Sequence, residues 1–184
     1  YPTKNLGAMG DAGMLVTNDA KVDARVRKLR HGGQSKRFWH EFSGINSRLD
    51  EIQAVILSDK LKLLKAQNNQ RRKLAKRYRK KFSDLPIKLQ ESFGGSQSVY
   101  HLFVIRTKKR RQLKEFLFRR KIISAIYYPY PIHKQTAFKK FANGSLPVTE
   151  KLSGEILALP IYPNLSVEKQ DLVIAAVRSF FKNN

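Results

Sequence analysis

The chain of 184 residues contains no cysteine, which rules out a disulfide framework and any thiolate-ligated metal site. Its histidines, His31, His40, His101 and His133, include no pair at the close helical spacing of a zinc site, so a metal role is not expected. No apolar run approaches the roughly 18 residues of a membrane span, and no signal-peptide pattern opens the sequence. The natural reading is a cytoplasmic protein without membrane insertion. Acidic residues are scarce: 14 Asp and Glu stand against 37 Lys and Arg, a net charge of +23. Such a balance raises nucleic-acid or anionic-membrane binding. The basic residues are, however, spread over 25–30, 60–65, 71–81, 108–111 and 119–121, mostly with apolar residues between them. No RNP-like aromatic motif, zinc-finger spacing or helix-turn-helix pattern accompanies them. That distribution reads as solvated helix faces, so no specific nucleic-acid partner is expected, and a basic nucleic-acid-binding module is the alternative. Hydrophobic content of 41% and this length suit one or two globular domains with a sizeable core.

The first thirteen residues, Tyr-Pro-Thr-Lys-Asn-Leu-Gly-Ala-Met-Gly-Asp-Ala-Gly, carry the most information. Lys4 sits in a turn built from Pro2, Asn5, Gly7 and Gly10, ahead of the strand-like run Met14-Leu15-Val16. A lysine held on a rigid turn beside a sheet can be desolvated and kept partly neutral, which Schiff-base chemistry with a carbonyl compound needs; the plain alternative is a lysine on a solvated turn. Three further blocks follow: Gly44-Ile45-Asn46-Ser47-Arg48-Leu49-Asp50-Glu51-Ile52-Gln53-Ala54, then Tyr127-Tyr128-Pro129-Tyr130-Pro131-Ile132-His133, then Leu157-Ala158-Leu159-Pro160-Ile161-Tyr162-Pro163. With Leu15-Val16-Thr17-Asn18-Asp19 after the first, the four blocks resemble, in order, segments of the DegT/DnrJ/StrS nucleotide-sugar aminotransferases, pyridoxal-phosphate-dependent enzymes of fold type I.

The resemblance implies an α/β, aspartate-aminotransferase-like fold, represented by the late part of the large domain plus the small C-terminal α/β domain. It implies amino transfer from glutamate to a nucleotide-linked keto sugar, with pyridoxal 5'-phosphate as cofactor and a homodimer whose sites are completed across the interface. Lys4 would be the catalytic and cofactor-binding lysine. Asn46 would reach the cofactor phosphate of the other subunit; its residue type also suits a helix N-cap. Arg48 is suited to bidentate binding of a carboxylate or phosphate, or to an ion pair with Asp50 or Glu51. Tyr128 and His133 fall in the family's substrate-side loop, where a proline-stiffened packing segment is the other reading, and Trp39 and His40 precede Gly44 in a loop that could line a neighbour's site. In the family the lysine lies near the middle of a longer chain, so about 180 further residues are expected before Tyr1, carrying the acid at the pyridine nitrogen, the ring-stacking aromatic and part of the phosphate cup. An inactive truncated family member is the second alternative.

Local patterns give the organisation. Gly13–Thr17 reads as a short buried strand, and Asn18 or Asp19 as the cap of a helix running to about Arg30. A long helix is expected from Ser47, capped by Asn46 or Ser47 with Asp50 in a capping box, to Phe82; unbroken, it would be about 54 Å long. The expected domains are 1–82 and 83–184. In the second, Val99–Arg106 and Ile122–Tyr127 read as strands, and Arg110–Arg120, Thr149–Leu157 and Ser166–Phe181 as helices.

Overall fold

Strands persist here where a neighbouring strand takes up their backbone groups. In the computed structural model, which describes residues 1–91 and 93–183, the chain divides into two compact units, Tyr1–Lys65 and Ala66–Asn184. In the first unit, α1 (Ala20–Leu29) starts as expected at Asp19, whose Oδ1 accepts from the Lys21 and Val22 backbone N–H groups at 2.8 and 3.3 Å. A short hairpin follows, β1 (Gln34–Lys36) against β2 (Trp39–His40), and α2 (Glu51–Lys81) then begins. Two expectations fail in this unit. Gly13–Thr17 forms no strand: Met14, Leu15 and Val16 are 88%, 56% and 86% exposed, and no described residue pairs with them. An isolated extended run has neither ladder bonds nor a covered face to stabilise it. The long helix starts at Glu51 rather than Ser47, because Asn46 bridges His31 and the Ser47 N–H donates to the Arg30 carbonyl at 2.9 Å. Those backbone groups are committed to extended pairing, so neither Asn46 nor Ser47 is a helix cap; the first helical bond runs from Ala54 to the Asp50 carbonyl at 3.0 Å.

The second unit is built on a three-stranded antiparallel sheet in the order β3 (Lys88–Leu89), β4 (Phe103–Arg106), β5 (Ile156–Leu159). Phe103 pairs with Leu159 and Ile105 with Leu157, and all four are buried, so the period-2 alternation of these strands supplies one apolar face. The second half of α2 adds Leu74, Ala75 and Tyr78, α3 (Arg110–Arg119) adds Leu113 and Leu117, and α5 (Val167–Lys182) adds Val173, Ile174, Val177 and Phe180. Each fully buried leucine contributes roughly 1.5–3 kcal/mol relative to exposure. Ser166 caps α5 through its own oxygen. The two compact units meet within α2, after Lys65, and Leu74, Ala75, Tyr78 and Phe82 belong to the core of the second.

Three other segments depart from expectation. Ile122–Tyr127 contributes only an isolated bridge, Ala125 to Ala158, made by N–H···O bonds of 3.1 and 2.7 Å. The residues before Phe103 leave the strand, since Tyr100 has φ 41° and Arg71 donates to the Tyr100 and His101 carbonyls. The helix expected over Thr149–Leu157 is α4 (Pro147–Glu155), with Pro147 in its first turn, and its last expected residues become β5.

Candidate active site

The segment carrying Lys4 folds back on itself. The Lys4 N–H donates to the Tyr1 carbonyl at 3.2 Å, closing a turn, and Lys4 itself is exposed rather than buried beside a strand. Gly7 is where the loop closes: a Cβ there would sit 2.3 Å from the Pro2 carbonyl oxygen and 2.9 Å from that of Tyr1, so only glycine permits the approach. Ala8, next to it, is 2% exposed. Two side chains of α2, both half-buried, hold this loop. The Lys60 ammonium donates to the Gly7 carbonyl, and Gln53 Oε1 accepts the Met9 N–H at 2.7 Å. Residues 53 and 60 are seven apart, two helical turns, and so lie on one face.

Asn46 is placed by a second close approach. Gly33 has φ 79°, and a Cβ on Gly44 would lie 2.2 Å from the Gly33 nitrogen and 2.7 Å from the Leu29 carbonyl oxygen. The C-terminal turn of α1 can therefore lie directly against residues 44–47: Gly32 N–H donates to Ile45 O, Ile45 N–H to Leu29 O and Ser47 N–H to Arg30 O, each at 2.9 Å. His40 contacts the Gly32 carbonyl through Nδ1 at 2.7 Å, so it holds this corner, and Trp39 is exposed at the hairpin. Lys28 bonds Glu41 at 2.6 Å, which lowers the Glu41 pKa.

Asn46 and Arg48 line one cleft of about 810 Å³ together with Tyr1, the 11–15 segment, Arg27 and Arg30; Lys4 is not among its lining residues. Arg48 Nε donates to Asn46 Oδ1 at 3.0 Å, and among the described residues it makes no ion pair with Asp50 or Glu51. Because a guanidinium only donates, the bond fixes the orientation of the Asn46 amide: its oxygen is taken, and its NH₂ remains as donor. Asp23 neutralises Arg27 at 2.9 Å, leaving Arg30 and Arg48 as the cleft's other cations beside Asp11.

Tyr128 and His133 belong to the second unit. Tyr128 is 68% exposed and meets the Tyr127 ring edge-on at 5.6 Å between centroids. His133 is largely enclosed, with Nε2 at 3.0 Å from Glu150 Oε1. Glu150 also accepts from Lys134 at 2.5 Å, from the Ser145 hydroxyl at 3.0 Å and from the Leu146 N–H at 3.1 Å. Those donors, Lys134 first and His133 next, hold its carboxyl at about 2, well below the usual 4.5.

Residues 1–178 match the DegT/DnrJ/EryC1/StrS aminotransferase family. The chain belongs to that family. It is 42% identical over 182 residues to the erythromycin biosynthesis sensory transduction protein EryC1 of Saccharopolyspora erythraea, covering 97% of this chain and 50% of that protein. It is 40% identical over 178 residues to the UDP-N-acetyl-3-dehydro-alpha-D-glucosamine 3-aminotransferase of Acidithiobacillus ferrooxidans, covering 97% and 48%. Among solved structures, Streptomyces venezuelae DesV in complex with a ketimine intermediate superposes with a TM-score of 0.95 at 39% identity, covering 99% of this chain and 50% of that one. The chain thus spans about half the length of the curated relatives it matches. Its α/β architecture is that of the aspartate-aminotransferase-like, fold-type-I transferases, as the sequence blocks imply.

Sequence reasoning gave no role to Gln53, Lys60 or Glu150. Gln53 stands inside the second block, and its spacing from Lys60 on a helix was the available signal. For Glu150 there was none, since its partners lie 4 to 17 residues away across irregular backbone.

Proposed function

We propose that this chain carries the cofactor lysine of a pyridoxal-phosphate-dependent sugar aminotransferase, acting in amino-sugar biosynthesis for surface polysaccharide or antibiotic. The reaction moves an amino group from glutamate to a keto sugar linked to a nucleoside diphosphate. Family membership across residues 1–178, with Lys4 presented on a tightly closed, solvent-facing turn, carries the reading. The names of relatives at about 40% identity, UDP- and dTDP-sugar transaminases among them, give the substrate class.

The residues present fit such a cofactor. Lys4 offers a primary amine on a surface turn, and Asn46, with its oxygen occupied by Arg48, offers N–H donors suited to a phosphate oxygen. Pyridoxal phosphate, when bound, supplies the electron sink that makes amino transfer possible. Lys4 would hold it through Nζ and, once freed, would take and return a proton at that same atom. Asn46 acts on the phosphate of the partner subunit in a homodimer. Arg48 adds the positive charge that orients a donor carboxylate or a phosphate. Tyr128 presents its hydroxyl to the sugar nucleotide, and His133, its ring fixed through Nε2 by Glu150, presents Nδ1. The working location is the cytoplasm; among the described residues no helix is long and apolar enough to cross a membrane.

Borohydride reduction after incubation with pyridoxal phosphate, followed by peptide mass mapping, tests the assignment. The pyridoxyl group is expected on Lys4 and absent from the Lys4→Arg variant, whose guanidinium is a very poor Schiff-base former. Recovery on another lysine, or on none, sinks it.

A further inference from the structure

We propose that Gln53 and Lys60 are positioning residues for Lys4: a two-point clamp on α2 that fixes the loop from which the lysine projects. The inference rests on the reading of Lys4 as the cofactor lysine. Its geometry stands on its own contacts. The two attachments have opposite polarity. Lys60 donates to the carbonyl of Gly7, and Gln53 accepts from the N–H of Met9, so the loop is gripped on either side of the buried Ala8. From Gly7 the restraint passes to the lysine by direct contact. Any side chain at position 7 would collide with the backbone of Tyr1 and Pro2, and the Tyr1 carbonyl accepts the Lys4 N–H. Lys60, Gly7, Tyr1 and Lys4 therefore form an unbroken series. Gln53 also restricts the far end, because its Nε2 would lie only 3.0 Å from a Cβ on Gly10.

The residue types argue against simple packing. Lys60 is half-buried and forms no ion pair with a carboxylate among the described residues. A partly desolvated ammonium without an acid partner is costly, and an apolar residue at that position would cover the helix face at lower cost. The bond to Gly7 is what the charge achieves. A catalytic group displaced by about 1 Å can lose on the order of a hundredfold in rate, so a loop without regular secondary structure needs such fixation more than a helix or strand does.

The test uses isosteric and conservative variants of the full chain: Lys60→Met and Gln53→Met remove the polar contacts, while Lys60→Arg keeps a cationic donor and Gln53→Glu keeps the acceptor oxygen. Amide hydrogen exchange at Lys4 and Met9, without cofactor, reports the clamp directly. The rate of pyridoxal phosphate attachment at Lys4, trapped by borohydride and mapped, reports its consequence. The methionine variants are expected to exchange about tenfold faster at Met9 or Lys4, the effect of one hydrogen bond. They should also label Lys4 about tenfold more slowly, with unchanged far-UV circular dichroism and unchanged labelling of other lysines. The Arg and Glu variants should stay within about threefold of wild type. Unchanged exchange in the methionine variants overturns the clamp, and so do Arg and Glu variants that behave like methionine. If wild type takes no label at Lys4, the aminotransferase reading falls, and the exchange data still decide whether Gln53 and Lys60 fix the loop.

Discussion

Replacing Tyr78 measures both the core of the second unit and the place where α2 changes allegiance. The ring is 0% exposed, stacked on Phe82 at 5.5 Å and tilted against Phe103 at 4.8 Å, and its hydroxyl donates to the Pro160 carbonyl at 2.9 Å. Tyr78→Phe keeps the ring and removes that bond, a loss of about 1 kcal/mol. Tyr78→Ala removes the ring and leaves a cavity, a loss of about 3–5 kcal/mol. Urea unfolding followed by circular dichroism at 222 nm is the assay, because Trp39 lies in the first unit and its fluorescence does not report this core. Burial raises the phenol above its ordinary 10.0. A raised acid pKa means that stability is intact below about pH 10 and falls as the unfolded chain begins to ionise above it; Tyr78→Phe should flatten that alkaline slope. In hydrogen exchange, Tyr78→Ala should deprotect residues 66–81 together with α5 while leaving residues 51–60 as in wild type. Equal losses for the Phe and Ala variants, or deprotection of all of α2 as one block, refute the reasoning.

Three shorter predictions follow from the contacts. Glu150, held at about 2, contributes stability that is complete above about pH 4.5 and is lost as pH falls toward 2; acid titration of Glu150→Gln should lack that slope, with the 133–146 region already loosened at neutral pH by limited proteolysis. Gly44→Ala forces a Cβ to within 2.2 Å of the Gly33 nitrogen, a backbone clash, and should cost more than about 2 kcal/mol in thermal unfolding. For Asn46, a mixed dimer of Lys4→Arg with Asn46→Ala should retain one whole site if the amide serves the partner subunit, and impairment of both sites refutes that arrangement.

The elements legible in the sequence were those whose determinants are local. Asp19 and Ser166 announce their helices because an N-cap acts on N–H groups two or three residues away. Asn46 and Ser47 looked like caps by the same rule and are not. Their backbone groups are claimed by His31 and Arg30, a pairing that depends on two glycines in close approach and leaves little trace in local propensity. Met14–Val16 has the composition of a buried strand, but burial is a property of neighbours, and the described residues leave those side chains mostly exposed. The reverse happened at Ile156 and Leu157, expected at the end of a helix, which joined the sheet because Phe103–Arg106 offered them a ladder.

Site residues separate in the same way. Lys4 is proposed from a motif, and the structure accounts for two of that motif's small residues: Gly7 must admit the backbone of Tyr1 and Pro2, and Gly10 lies against the Gln53 amide. Of these, only Gly10 answers to the helix that follows more than forty residues later, while Gly7 closes the loop on itself and offers its carbonyl to Lys60. Arg48 shows the limit of reading charge from sequence. Acids two and three residues on, Asp50 and Glu51, suggested an ion pair, yet Arg48 lies before the helix that begins at Glu51, and its guanidinium turns back to Asn46. That bond makes the two residues one unit: neutralising Arg48 would free the Asn46 amide to rotate, so under the role proposed for Asn46 its loss should weaken phosphate binding even where the arginine itself touches no ligand.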